Sequence, residues 1–321
     1  MATGGVTLKS LPSELPLDFL NKITKNFSKD LQLREDASES VYMGILDGGE
    51  VVVVKKLAEN SPVPCEKKFA NEVQNIMGLE HENIVKMVAY CREPNNKLVQ
   101  INERYITAEI TDTLLCHEYL PQGSLDKNLF GESSIIDWGT RFKIIKGICK
   151  GVHFLHTLPR PILHLGLKPQ NILLDVNMAP KIADFGFSRI FGIDHTRKIT
   201  RSVVGSVGYM APEYLYSGEI SARSDIYSLG LIIMEISTRE KNSSDQKHAR
   251  KYVDGVKENW TMEKIMSEYT LLEEQGLNQV QACIDIALQC VEIDQDKRPS
   301  IDYILNRLKA LPKNAEVDHS R

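Results

Sequence analysis

Apolar positions along the chain follow two different periods, and the change from one to the other divides it. From Leu31 to Lys56 short apolar runs alternate with turns, and Val51–Val54 lies between Gly48-Gly49 and Lys55-Lys56. Side chains branched at Cβ favour extended backbone, so this stretch predicts strands. Ile84–Tyr90 and Leu114–Tyr119 predict two more. Before them, Phe69, Val73, Ile76 and Leu79 recur at helical spacing with Glu72 beside them. Leu17, Phe19, Leu20 and Ile23 predict a short helix ending near Asn26, a strap packed on the domain. The polar interval 92–113 predicts an exposed insertion, irregular at first, with a small hairpin around Tyr105-Ile106.

Beyond Gly123 the helical period takes over, over residues 138–157, 222–238, 260–274, 278–291 and 300–311. The pattern predicts an α+β protein of two lobes. A flexible leader covers residues 1–15, a strand-rich small lobe 16–119, a helical large lobe 120–311, and a tail 312–321.

Composition narrows the class without naming it. Hydrophobic residues are 42% of 321, enough for a substantial core and against a disordered chain. A net charge of −4 gives no general basic field, so nucleic acid is not an expected partner. The six cysteines have neither disulfide-scaffold density nor a tight metal spacing. Cys283 and Cys290, seven apart on a predicted helix, read as core thiols or as a ligand or redox pair. The first residues carry no signal-peptide pattern, Ala2 stands where myristoylation needs glycine, and no apolar stretch reaches the roughly 20 residues of a membrane span. These features predict a cytoplasmic protein with no transmembrane segment, whose membrane contact would come through a protein partner.

Ordered motifs carry the function. They are VVVVKKL (51–57), FANEVQNIMGLEHENIVKM (69–87), HEYLPQGSLDKNLF (117–130), HLGLKPQNILLD (164–175), DFGFSR (184–189), GYMAPEY (208–214), SDIYSLG (224–230) and DKRPS (296–300). In this order and spacing the chain resembles the protein kinases, and within them the cytoplasmic kinase domains of plant receptor-like kinases, especially the grass type. The resemblance implies the bilobal protein-kinase-like fold and serine/threonine phosphotransfer from ATP with Mg2+, chemistry that rests on positioning and charge compensation.

Carried onto this sequence, the resemblance makes Lys55 the lysine that contacts the phosphates and Glu72 the helix glutamate that orients it. Asn171 and Asp184 become the metal ligands, with oxygen donors that suit magnesium. Val41, Val53 and Leu173 take the positions around adenine, His117 the constriction before the hinge, and Glu118 and Leu120 the nucleotide-binding hinge. Lys168 compensates phosphate charge. Ile76, Met87, His164 and Phe185 match a stack of apolar and aromatic side chains, Glu213 and Arg298 a long-range ion pair, and Asp225 a brace for the catalytic loop.

The departures are concentrated in the chemistry. In LREDASESVYMG (33–44), Arg34, Asp36 and Glu39 fill the three positions where the family has glycine over the phosphates. A carboxylate 4 Å from a phosphate charge costs about 4 kcal/mol at an effective dielectric of 20. Val53 replaces a small alanine above the adenine, where added bulk costs about 1–3 kcal/mol unless it is ordinary strand packing. Gly166 stands where the family has the aspartate that takes the substrate's proton, a loss of about 10²–10⁴ in rate unless another carboxylate serves. The sequence therefore predicts a pseudokinase, a signalling or immune-related scaffold, regulator or decoy working with an active kinase or receptor complex. The alternative is a weak ATP-dependent serine/threonine kinase. ATP and Mg2+ binding is expected to be weak or unconventional.

Overall fold

The computed structural model describes residues 7–8, 11–58, 64–101, 104–131, 136–192, 197–243 and 245–312. Most of the expected leader (1–6 and 9–10) and the tail from 313 lie outside them. The chain forms the two lobes of a protein kinase. One compact unit runs to Glu80 and resumes over Val85–Tyr119; the other takes His81–Ile84 and everything from Leu120.

The first unit is a five-stranded antiparallel sheet with two helices. Its elements are α1 (Leu17–Ile23), β1 (Gln32–Glu35), β2 (Glu39–Ile45), β3 (Val51–Leu57), α2 (Cys65–Ile76), β4 (Met87–Ile101) and β5 (Arg104–Glu118). The strand order is β1-β2-β3-β5-β4. Alternation sends Val52 and Val54 to one face of β3, where they join Leu20 and Ile23 of α1 in the core. The packed chain begins before the strap. Tyr90 N–H donates to the Ser13 carbonyl and Leu15 N–H to the Tyr90 carbonyl, both at 2.8 Å.

The interval 92–113 differs from its expected irregularity. β4 and β5 pair without a break from Ala89↔Cys116 to Ile101↔Arg104, whereas β3 reaches β5 only over Val52–Lys56. The outer part is thus a two-stranded ribbon extending past the sheet. Its second strand is rich in β-branched residues (Ile106, Thr107, Ile110, Thr111, Thr113). Pro94 is tolerated because β4 is an edge strand. Ile84 also departs from expectation: β4 starts only at Met87, and Ile84 makes an isolated parallel bridge to Ile182.

The second unit comprises β6 (Gly123–Ser124), α3 (Leu125–Phe130), α4 (Trp138–Thr157), β7 (Ile162–Leu163), β8 (Ile172–Leu174), β9 (Pro180–Ile182), β10 (Arg189–Ile190), β11 (Arg197–Ile199), α5 (Pro212–Ser217), β12 (Glu219–Ser221), α6 (Ala222–Thr238), α7 (Gln246–Asn259), α8 (Met262–Glu268), α9 (Glu274–Cys290) and α10 (Ile301–Ala310). The Asp137 side chain caps α4, and Ser221 with Ser224 forms a capping box on α6. Every residue of α6 from Ser224 onward is buried, Asp225 and Glu235 included. α9 packs close enough on it that a Cβ at Gly230 would sit 2.6 Å from Cys290 Cβ. Cys283 and Cys290 are fully buried free thiols, and burial pushes both pKa values up, so they are core thiols. The helix expected over 260–274 is only the short α8, α9 begins four residues earlier than expected, and α7 was not expected at all.

Candidate functional site

Register decides which small-lobe side chains share a face. Across β2 and β3, Glu39 opposes Leu57, Val41 opposes Lys55 and Met43 opposes Val53. Directly opposed residues point the same way, so Glu39, Val41, Val53 and Lys55 all lie on the face away from the Val52 and Val54 core. Lys55 Nζ lies 2.9 Å from Glu72 Oε1 on α2 and 3.0 Å from Glu39 Oε2. All three side chains are buried, Glu39 being only 2% exposed. His117 Nε2 stands 3.5 Å from the other Glu72 oxygen.

Arg34 and Asp36, the two other residues expected to stand at glycine positions, have their own partners. The Arg34 guanidinium pairs with Glu39 Oε1 and lies 3.6 Å from Asp36 Oδ2. Asp36 Oδ1 accepts from Ser38 N–H and Ser38 Oγ, both at 2.8 Å, and from Glu39 N–H at 3.1 Å, closing the turn between β1 and β2. Partial burial works to raise the Asp36 pKa, but these hydrogen bonds and the Arg34 charge outweigh it and hold the carboxyl below its ordinary value. Arg34, Asp36 and Glu39 thus form a network of their own.

In the large lobe, the loop after β7 is braced from α6. Asp225 Oδ2 accepts from His164 N–H and Oδ1 from Leu165 N–H, both at 2.8 Å, and His156 Nε2 lies 2.9 Å from Oδ2. This clamp holds Leu165 at φ +58°, a conformation a branched side chain rarely adopts. Burial tends to raise the Asp225 pKa, yet the His156 hydrogen bond and charge, His164 and the Leu165 amide bring it below the ordinary value. Gly166 N–H donates to His164 Nδ1 at 3.1 Å, which leaves Nε2 to donate to the Ala183 carbonyl at 3.0 Å. Asn171 Nδ2 donates to the Gly166 carbonyl at 2.8 Å. The His164 and Phe185 rings meet edge to face at 4.7 Å, and Asp184 just before Phe185 has φ +67°.

Gly166 is not required by shape. It is not among the glycines at positive φ, and a Cβ built there would meet nothing closer than 3.4 Å. The backbone at this position therefore has room for a Cβ.

The remaining expected residues divide between the lobes. Val41 and Val53 are half-buried on the Lys55 face, and Glu118 ends β5 with its carboxylate accepting Lys86 N–H at 2.8 Å. Leu120, Leu173 on β8, Lys168 and Asn171 belong to the second unit with Asp184. Lys168 is half-buried in extended backbone ahead of the short turn that carries Asn171. The framework pair is formed as expected, with Arg298 Nη1 and Nη2 each donating to Glu213 at 2.7 Å. Sequence reasoning missed His156 as a partner of Asp225, and also a buried network in which Glu235 accepts from Tyr209 Oη and Asn242 N–H at 2.9 Å.

Comparison with known proteins agrees with this architecture. The protein kinase domain model matches residues 35–308. The chain belongs to the protein kinase family. Its curated relatives include two proteins of Arabidopsis thaliana, cysteine-rich receptor-like protein kinase 25 (39% identical over 290 residues) and cysteine-rich receptor-like protein kinase 5 (38% over 304). A G-type lectin S-receptor-like serine/threonine-protein kinase of the same plant is 36% identical over 310. These alignments take in 88%, 92% and 92% of this kinase domain but only 40%, 44% and 34% of the relatives, so it spans less than half their length. Within that family it is similar to the kinase domains of these plant receptor-like proteins. No helix among the described residues is long and apolar enough to cross a membrane.

Protein kinases generally use ATP and Mg2+, and the two halves of that requirement fare differently here. Asn171, its amide nitrogen committed to Gly166, keeps its oxygen as the donor atom, and Asp184 supplies a carboxylate, a set whose chemistry suits magnesium. The phosphate side does not fit. A buried carboxylate sits against Lys55, where the resemblance places a phosphate oxygen, and Arg34 is turned to the same carboxylate.

Proposed function

We propose that this kinase domain is a pseudokinase, a folded signalling module that regulates, scaffolds or acts as a decoy rather than transferring phosphate. The observation that carries the reading is Gly166 in a catalytic loop whose braces, Asp225 and Asn171, remain in place. A loop kept in register without its proton acceptor supports a role for the shape and not for the turnover. Loss of a positioned base removes about 10²–10⁴ in rate. The Glu39 carboxylate against Lys55 adds a second lesion at the phosphate side.

On this reading residues 16–311 act as one kinase-like domain of the grass receptor-like type, and the partner is an active kinase or a receptor complex. The protein works in the cytoplasm and reaches a membrane through that partner. Lys168, Asn171 and Asp184 are remnants of the charge-compensating side, while nucleotide contact of low phosphate affinity falls to Val41, Val53 and Glu118 of the first unit and to Leu120 and Leu173 of the second.

A weak serine/threonine kinase is the second reading, favoured by the intact 2.9 Å Lys55–Glu72 pair. The two separate in an assay of radiolabelled phosphate transfer from ATP by the purified wild type, beside an Asp184→Asn control. Transfer equal in both preparations supports the pseudokinase; transfer abolished by Asp184→Asn establishes the kinase.

A further inference from the structure

We infer that Glu39 is a built-in replacement for the nucleotide phosphates, so that the site selects an adenine ligand without phosphates over ATP. The inference rests on Lys55 being the nucleotide-facing lysine of the proposed site. It begins with strand parity. Glu39 lies two residues before Val41, which opposes Lys55, so the pleat turns the Glu39 side chain to the Lys55 face. At the glycine this residue replaces, nothing would project there. Here a carboxylate reaches Lys55 Nζ at 3.0 Å, with Glu72 at 2.9 Å.

Three consequences follow from the charges. Lys55 has one carboxylate from the helix and a second from the strand, so its charge is already balanced before any ligand arrives. A triphosphate entering beside it must displace Glu39 or lie next to a buried anion, and both outcomes oppose binding. Arg34, the one cation of the altered turn, is bound to Glu39 and Asp36 and so reinforces the carboxylate's position. An uncharged adenosine meets none of this opposition. Val53 narrows the slot for the adenine ring, which adenosine and ATP share, and so cancels from their ratio.

Titration calorimetry of adenosine and of ATP with Mg2+ tests this on wild type, Glu39→Gly and Glu39→Gln. Wild type should bind adenosine measurably and at least as tightly as ATP. Glu39→Gly should tighten ATP binding tenfold or more and change adenosine binding less than threefold. Glu39→Gln keeps the size and removes the charge, and should move the ratio in the same direction if Glu39→Gly does not fold. Wild type binding ATP tenfold tighter than adenosine, no measurable adenosine binding, or an unchanged ratio in the folded variants would each overturn the inference. Phosphate transfer is measured separately, so an active wild type would remove the pseudokinase reading while leaving this ratio to stand or fall alone.

Discussion

Asn171 donates from its side-chain amide to the carbonyl of Gly166 at 2.8 Å, tying two positions of the proposed site together. The bond uses only the backbone of residue 166, so it survives any side chain placed there. With a Cβ meeting nothing closer than 3.4 Å, Gly166→Asp is expected to fold normally. Its melting temperature should lie within a few degrees of wild type, since substitutions free of a named lesion usually stay within about 0.5 kcal/mol. A loss of cooperative unfolding would show that glycine is needed for the loop itself.

Arg298, with a side chain 0% exposed, depends on Glu213 for its counter-charge. Glu213→Gln leaves that guanidinium buried and unpaired, and should cost about 3–5 kcal/mol in denaturant unfolding. Replacing both partners by apolar residues should cost less than the sum of the single changes, because the uncompensated charge is gone. An effect of Glu213→Gln below about 1 kcal/mol would mean that the three backbone carbonyls around Arg298, of Arg223, Glu292 and Ile293, suffice.

Glu235 makes the fold sensitive to pH near neutrality. Burial raises its pKa from 4.5 to about 7, against the opposing Asn242 amide, Tyr209 hydroxyl and Lys241 charge, while Asp126 adds to the rise. The folded protein therefore holds an extra proton between these values, and stability falls as pH rises through that window. The gap of roughly 2.5 pH units corresponds to about 3 kcal/mol. Glu235→Gln should remove this slope, so the unfolding free energies of wild type and variant diverge between pH 4.5 and 7 and run parallel above it. Parallel curves throughout would show that Glu235 does not titrate there.

The ribbon of β4 and β5 should exchange its amides at an intermediate rate. Two strands without a third are marginal in water, whereas β3 is paired on both sides. Amides over 92–101 and 104–112 should exchange faster than those of Val52–Val54 yet slower than an unstructured segment. Core-like protection would reveal another covering element; none at all would contradict the pairing.

Much of this was legible where periodicity and caps agreed. α4 and α6 have their expected limits because apolar spacing ends at Asp137 and Ser221, both side-chain caps. α7 was missed because only Ala249, Val253 and Val256 are buried apolar positions in an otherwise polar run. Polar residues such as Glu93, Asn95 and Asn96 point to an irregular loop, and long-range strand pairing overrides that local signal. At the site, the sequence puts two carboxylates, Asp36 and Glu39, in one short segment without showing their division of labour. Only the register shows that Asp36 closes its own turn while Glu39 faces Lys55.

On the proposed pseudokinase reading, catalysis fails for two separable reasons: Gly166 supplies no base, and Glu39 occupies the phosphate position beside Lys55. Radiolabelled phosphate transfer from ATP should be compared across wild type, Gly166→Asp, the quadruple variant Arg34→Gly, Asp36→Gly, Glu39→Gly, Val53→Ala, and the combination of all five. Transfer above the Asp184→Asn background is expected only in the combined variant, since either remaining lesion blocks a productive complex. Robust transfer by the wild type, abolished by Asp184→Asn, would contradict the account.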